Sequence, residues 1–204
     1  VKKLRLIAWS DYLCPWCYNG SVRLAAVQQK FANQVELEFR SFLLRPKPNP
    51  NRDLEKFRRY TQSWMRPAAD QPAGRFRVWE GDASPPSHSI PPHLIAKAAA
   101  QLGPDAFERM HERLLRAYFN ESRDVTDDAT LLELWQEAGL ERSEFDRRED
   151  PALLELVLSE HNAAIEAGAN GVPTVMIENQ NVPITGAHPI EMYERWISRQ
   201  LASD

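Results

Sequence analysis

Leu4, Leu6 and Ala8 alternate with Arg5, Ile7 and Trp9, a period of two that predicts a strand with at least one buried face. A short loop, Ser10-Asp11-Tyr12-Leu13, leads to Cys14-Pro15. Beyond it Val22, Leu24, Val27 and Phe31 recur at helical spacing, so a helix is expected over about 15–31. Pro15 suits its first turn, where a missing N–H costs no hydrogen bond. The run Val35-Glu36-Leu37-Glu38-Phe39-Arg40-Ser41-Phe42 alternates strictly and predicts a second strand. The chain therefore opens as strand, helix, strand.

A break follows. Pro46, Pro48 and Pro50 alternate with polar residues and mark an extended linker. Residues 53–82 are mostly polar with scattered Trp64, Phe76 and Trp79, and carry no period that assigns them. Residues 84–92 hold four prolines and read as a loop. Helical spacing then returns over 93–102, 105–119 and 126–138, and Asp150-Pro151 opens a further helix that ends near Gly168. After Gly171, Thr174-Val175-Met176-Ile177 reads as a strand and Asn179-Gln180-Asn181 as a turn. Val182-Pro183-Ile184-Thr185 reads as an edge strand that tolerates its proline. Pro189 opens a last helix with Ile190, Tyr193, Ile197 and Leu201 on one face. The order β-α-β, helical block, β-β-α is that of an α/β protein whose helical block is an insertion. The expected boundaries are 1–45, 46–168 and 169–204.

Composition narrows the classes. The chain has 204 residues, a net charge of −4 and an apolar share of 43%, enough for a packed core. Acidic and basic residues are mixed rather than blocked, which argues against a nucleic-acid face. The longest apolar runs fall far short of the roughly 20 residues that cross a bilayer, which argues against a membrane partner. Val1-Lys2-Lys3-Leu4-Arg5 runs straight into the first strand, without the apolar stretch of a secretory signal, so a cytoplasmic protein is expected.

Only two cysteines are present, in Cys14-Pro15-Trp16-Cys17. Thiol–disulfide exchange needs an attacking sulfur and a second thiol close enough to close the ring. Two residues between the cysteines, across the first turn of a helix, supply both. Cys14 would sit at the helix N-terminus, where free N–H groups and the helix dipole favour negative charge, and Cys17 one turn deeper as the resolving thiol. A zinc site would need four ligands, and His88, His93, His111, His161 and His188 are scattered. A purely structural disulfide would close a very small loop and constrain little, and an inert buried pair is the remaining plain reading. The second element is Gly171-Val172-Pro173-Thr174, where the proline either simply opens a strand or follows a cis bond.

Cys14-Pro15-Trp16-Cys17-Tyr18-x-Gly20 after Ser10-Asp11-Tyr12, with Gly171-Val172-Pro173-Thr174 late in the chain, resembles the FrnE-like cytoplasmic branch of the DsbA family. Residues 96–102, 107–119, 124–125 and 131–140 resemble that family's inserted helices and the turn after them, and Ile184-Thr185-Gly186-Ala187-His188-Pro189 its last strand and helix start. The resemblance implies a thioredoxin-like fold with an inserted α-helical domain. It implies that Cys14 forms a mixed disulfide with a substrate and that Cys17 resolves it. It also implies that Val172-Pro173 is cis, packs against the cysteines and offers Val172 backbone hydrogen bonds to an extended substrate, and that Pro15 and Trp16 tune the redox potential. The implied partners are thiol-containing proteins or peptides, with glutathione as a co-substrate and no cofactor beyond the redox pair. Two departures stand out: the proline-rich Ser87-His88-Ser89-Ile90-Pro91-Pro92-His93, and the absence of the second cysteine pair that some FrnE-like proteins carry near the C-terminus.

Two other readings compete. Kappa-type glutathione transferases and 2-hydroxychromene-2-carboxylate isomerases share this architecture but do not need a second cysteine, so Cys17 argues against them. A non-catalytic peptide-binding module would keep the fold as a scaffold. Trp9, Trp64, Trp79, Tyr12 and Tyr18 are either core or the lining of a peptide groove, and Tyr12, beside the motif, is the one expected to touch substrate. Asp11 reads as an exposed loop aspartate rather than a proton carrier.

Overall fold

The computed structural model describes residues 3–202. Val1 and Lys2, which begin the expected approach to the first strand, lie outside the described residues, as do residues 203–204. Four strands form one mixed sheet: β1 (Leu4–Ser10), β2 (Val35–Ser41), β3 (Thr174–Ile177) and β4 (Ile184–Thr185), in the order β2-β1-β3-β4. β2 runs parallel to β1 with Leu4 opposite Val35 and Ser10 opposite Ser41. β3 runs antiparallel to β1, with Trp9 opposite Thr174, and β4 antiparallel to β3. The expected last strand is shorter than its sequence suggested, because Pro183 has no N–H to give the ladder and pairing begins at Ile184.

Both faces of β1 are buried. Leu6 and Ala8 pack with Leu24 and Val27 of α1 (Pro15–Lys30) and with Tyr193 and Ile197 of α8 (Ile190–Leu201). Ile7 and Trp9 point to the opposite face, against Phe42 and against Ala164 of α7 (Pro151–Glu166). A central strand covered on both sides reads as a nearly continuous apolar run, as Leu6 to Trp9 does.

Between β2 and β3 the chain is helical: α2 (Leu54–Thr61), α3 (Met65–Ala69), α4 (Ile90–Gln101), α5 (Pro104–Glu121), α6 (Asp128–Glu137) and then α7. Their core gathers Trp64, Tyr118, Phe119, Leu134 and Trp135. Of residues 53–82, unassigned from sequence, 54–69 form two short helices joined by a 3-10 turn, capped by the Asp53 side chain on the Lys56 N–H at 2.7 Å, and 70–82 run without regular structure. The run 84–92, expected to be loop throughout, enters α4 at Ile90. Pro91 and Pro92 fit there because the first-turn N–H groups of a helix have no acceptor to lose. No helix among the described residues is long and apolar enough to cross a membrane.

Candidate active site

The loop between β1 and α1 is pinned before it reaches the cysteines. Asp11, expected to be exposed, is fully buried. Its carboxylate accepts the N–H of Leu13 at 2.6 Å and of Leu44 at 2.8 Å, and takes the Ser89 hydroxyl as well. Burial raises its pKa to about 6, against the pull of those hydrogen bonds. The Asp11 carbonyl in turn accepts the Cys14 N–H at 3.1 Å. The three anchors tie the end of β1, the segment after β2 and the start of α4 to the residue that opens α1.

Cys14 is the N-cap of α1. Its sulfur accepts the Cys17 N–H at 3.3 Å, Pro15 occupies the first turn, and no acidic residue in that turn opposes the positive helix end. Cys14 is 5% exposed and Cys17, one turn on, 1%. Both are free thiols. Burial first, then the neighbouring Cys14 sulfur, raises the pKa of Cys17 well above the ordinary thiol value, although the Asp11 N–H and the Ser10 hydroxyl point at it and pull the other way. The two cysteines are thus unequal: both are buried, but Cys14 caps the helix end and keeps a sliver of exposure, whereas Cys17 is sealed one turn deeper with its pKa raised. Trp16 stands at the rim, 36% exposed.

The second element meets the first. Val172-Pro173 is a cis peptide bond, and the Cys14 thiol donates to the Val172 carbonyl at 3.4 Å. Pro173 packs against Gly20 of α1 so closely that a Cβ there would lie 3.0 Å from the proline Cγ. Gly186 N–H holds the Pro173 carbonyl at 2.8 Å, and Thr174 and Thr185 share a hydroxyl contact at 2.9 Å.

Tyr12, expected to touch substrate, is turned inward instead: it is 5% exposed and its hydroxyl meets His111 Nδ1 at 2.9 Å. His111 Nε2 meets Ser21 Oγ at 2.8 Å, so this buried ring links the loop before Cys14 to the second turn of α1. His93 sits beside them with Nε2 on the Phe42 carbonyl at 3.1 Å. Burial, then the charge of Lys97, lowers both histidine pKa values to about 3. Lys97 itself pairs with Glu160 at 2.6 Å, and Glu160 also accepts the Ser41 N–H at 2.6 Å. Trp9, Trp64 and Trp79 are core residues, not groove lining. Among the described residues no group of three or more His, Cys, Asp or Glu side chains converges as a metal site would require.

Sequence reasoning read Asp11 as exposed, and missed the parts played by Gly20, His93, His111, Lys97 and Glu160. Only Gly20 left a signal, as the glycine closing the Cys-Pro-Trp-Cys-Tyr-x-Gly string, and the others depend on partners far along the chain.

The family model described as a DSBA-like thioredoxin domain matches residues 5–198. The uncharacterized protein YwbO of Bacillus subtilis (strain 168) is 27% identical over 197 residues, covering 93% of this chain and 94% of that protein. A probable DsbA oxidoreductase from Streptomyces coelicolor superposes with a TM-score of 0.77 at 25% identity, covering 98% of this chain and 91% of that one. The cytosolic disulfide reductase DsbM from Pseudomonas aeruginosa, solved with GSH, superposes with a TM-score of 0.76 at 25% identity, covering 98% of this chain and 100% of that one.

Proposed function

The chain belongs to the DSBA-like thioredoxin domain family, and from that premise we propose that it exchanges disulfides with protein, peptide or small-thiol substrates through Cys14 and Cys17. One observation carries the reading: the helix-capping Cys14 sulfur lies within hydrogen-bond reach of the Val172 carbonyl and also accepts the N–H of buried Cys17.

In the reducing direction the Cys14 sulfur attacks one sulfur of a substrate disulfide. A Cys14–substrate bond forms, the substrate S–S bond breaks, and the second substrate sulfur leaves and takes a proton. The Cys17 sulfur then attacks Cys14, closing the Cys14–Cys17 disulfide and releasing the first substrate sulfur as a thiol. The substrate gains two electrons and two protons, and the cysteine pair loses them. Run backwards, the same steps place a disulfide in the substrate. The high pKa of Cys17 keeps it protonated and out of competition in the first step. An extended peptide reaching Cys14 would displace the thiol from the Val172 carbonyl and take up backbone pairing beside Pro173, with exposed Trp16 as a contact.

Glutathione is the proposed small-thiol partner, and the likeness to a reductase solved with GSH supports it. Two glutathione thiols would reset the Cys14–Cys17 disulfide and leave as oxidised glutathione. The cytosolic setting of that relative supports a cytoplasmic location here. The test is turnover of a peptide disulfide with glutathione as sole reductant. Turnover that stops in Cys14→Ser, and that in Cys17→Ala slows and passes through a Cys14–peptide adduct which glutathione must release, supports the reading. Glutathione transfer to an electrophile that survives Cys17→Ala would favour the transferase alternative.

A further inference from the structure

Arg23 lies on the buried face of α1, and its side chain is 1% exposed. A guanidinium cannot shed its charge, so burial on this scale requires that its donors be satisfied. They are, by two separate segments. From the helical insertion, the Asp70 carboxylate at 2.9 Å and the Asp70 carbonyl take Nη2, and the Pro72 carbonyl takes Nε at 2.9 Å. From the stretch leading into α8, the Ala187 carbonyl at 2.7 Å and the His188 carbonyl at 3.3 Å take Nη1.

The second segment bears on the site. Gly186, next to Ala187, holds the Pro173 carbonyl through its N–H at 2.8 Å. Tyr193 of α8 fastens the same stretch independently, its hydroxyl donating to the Gly186 carbonyl at 3.0 Å and accepting the His188 N–H at 3.4 Å. Pro173 is pressed from the other side by Gly20 of α1. The helix that carries Cys14 therefore grips Val172-Pro173 twice, once by contact at Gly20 and once through Arg23 and the residues 186–188.

We propose that Arg23 is a positioning residue, which, together with Tyr193, fixes Val172-Pro173 relative to Cys14 and so sets the affinity for extended peptide substrates. The inference rests on the exchange reading above. Loosening this tie would blur the Val172 backbone that a peptide must pair with, while Cys14 keeps its helix cap and its reaction with small disulfides.

The experiment compares wild type, Arg23→Lys and Tyr193→Phe as full chains with two probes, a peptide disulfide and a small aromatic disulfide. Circular dichroism establishes that each variant is folded at the assay temperature. For both variants the expected KM for the peptide rises about tenfold with kcat nearly unchanged, while the small-disulfide rate stays within about twofold of wild type. An unchanged peptide KM in a folded variant overturns the proposal, as does an equal fall with both probes, which would mark Arg23 as a staple of the fold alone. Should Arg23→Lys not fold, Tyr193→Phe, which removes one hydroxyl and little volume, decides the matter by the same split. Wild-type protein inert towards both probes would overturn the exchange reading, and this inference with it.

Discussion

The sulfur of Cys14 and the carbonyl oxygen of Val172 lie 3.4 Å apart although 158 residues separate them in the chain. The antiparallel pairing of β1 with β3 makes this meeting unavoidable, since Trp9 stands opposite Thr174 and each strand end continues into one half of the site. The helix-capping sulfur and a backbone carbonyl at the cis-proline are thereby placed side by side.

That placement separates the roles of the two cysteines. Cys14→Ser is expected to reduce disulfide exchange to the uncatalysed background. Cys17→Ala keeps the attacking sulfur but loses the group that releases substrate, so a covalent adduct should accumulate. Intact-mass measurement after mixing with a peptide disulfide would reveal it as one peptide added per chain, removable by reductant.

Gly20 supplies the contact on which Pro173 rests. An added Cβ would come within 3.0 Å of the proline Cγ and 3.2 Å of its Cβ, so one of the two must shift. Gly20→Ala is expected to cost about 1–3 kcal/mol in urea unfolding, the usual range for overpacking, and to slow peptide turnover more than it slows the reaction of Cys14 with a small alkylating reagent.

Acid should weaken the fold. His93 and His111, with pKa values near 3 in the folded protein, take up protons near pH 6.5 only when unfolded, so their contribution is present at neutral pH and lost as pH falls. Asp11 acts in the opposite sense, because its raised pKa favours the folded state below about 4 and that gain is lost as pH rises through about 6. Two histidines outweigh one carboxyl. The urea midpoint should therefore drop between pH 7 and pH 4.5, and His111→Asn should flatten the drop. A midpoint that rises on acidification would contradict this.

Lys97 and Glu160 form a nearly buried pair that also anchors the Ser41 N–H. Lys97→Met would leave nearly buried Glu160 without its paired ammonium, with only the more distant Arg40 as a counter-charge, and breaking such a pair commonly costs up to about 3–5 kcal/mol. Adding Glu160→Gln removes the stranded charge while keeping an acceptor for Ser41. The double variant should therefore be more stable than Lys97→Met alone, a comparison that thermal unfolding makes directly.

The strand–helix junction at Cys14 and the strand after Pro173 were legible in sequence because each rests on local rules, namely period, a proline at a helix start and strand propensity. The insertion was harder. Phe57, Trp64 and Trp79 are buried, but the helices around them run only eight and five residues, too short for a period to show. The polar scaffold left no trace at all. Arg23 finds the Ala187 carbonyl 164 residues away and Tyr12 finds His111 across 99, whereas a polar residue read alone is taken as exposed. Asp11 shows the same effect, a loop aspartate by local reading and a buried clamp once Leu44 and Ser89 are folded onto it.

The central claim is that Cys14 and Cys17 act as one two-electron pair. Mixing the reduced protein with a stoichiometric peptide disulfide, quenching with acid and alkylating the remaining thiols tests it in a single mass spectrum. The account predicts that chains lose both alkylation sites together, with a Cys14–Cys17 disulfide formed for every peptide disulfide reduced. Chains that keep both thiols alkylatable while the peptide stays oxidised would contradict it.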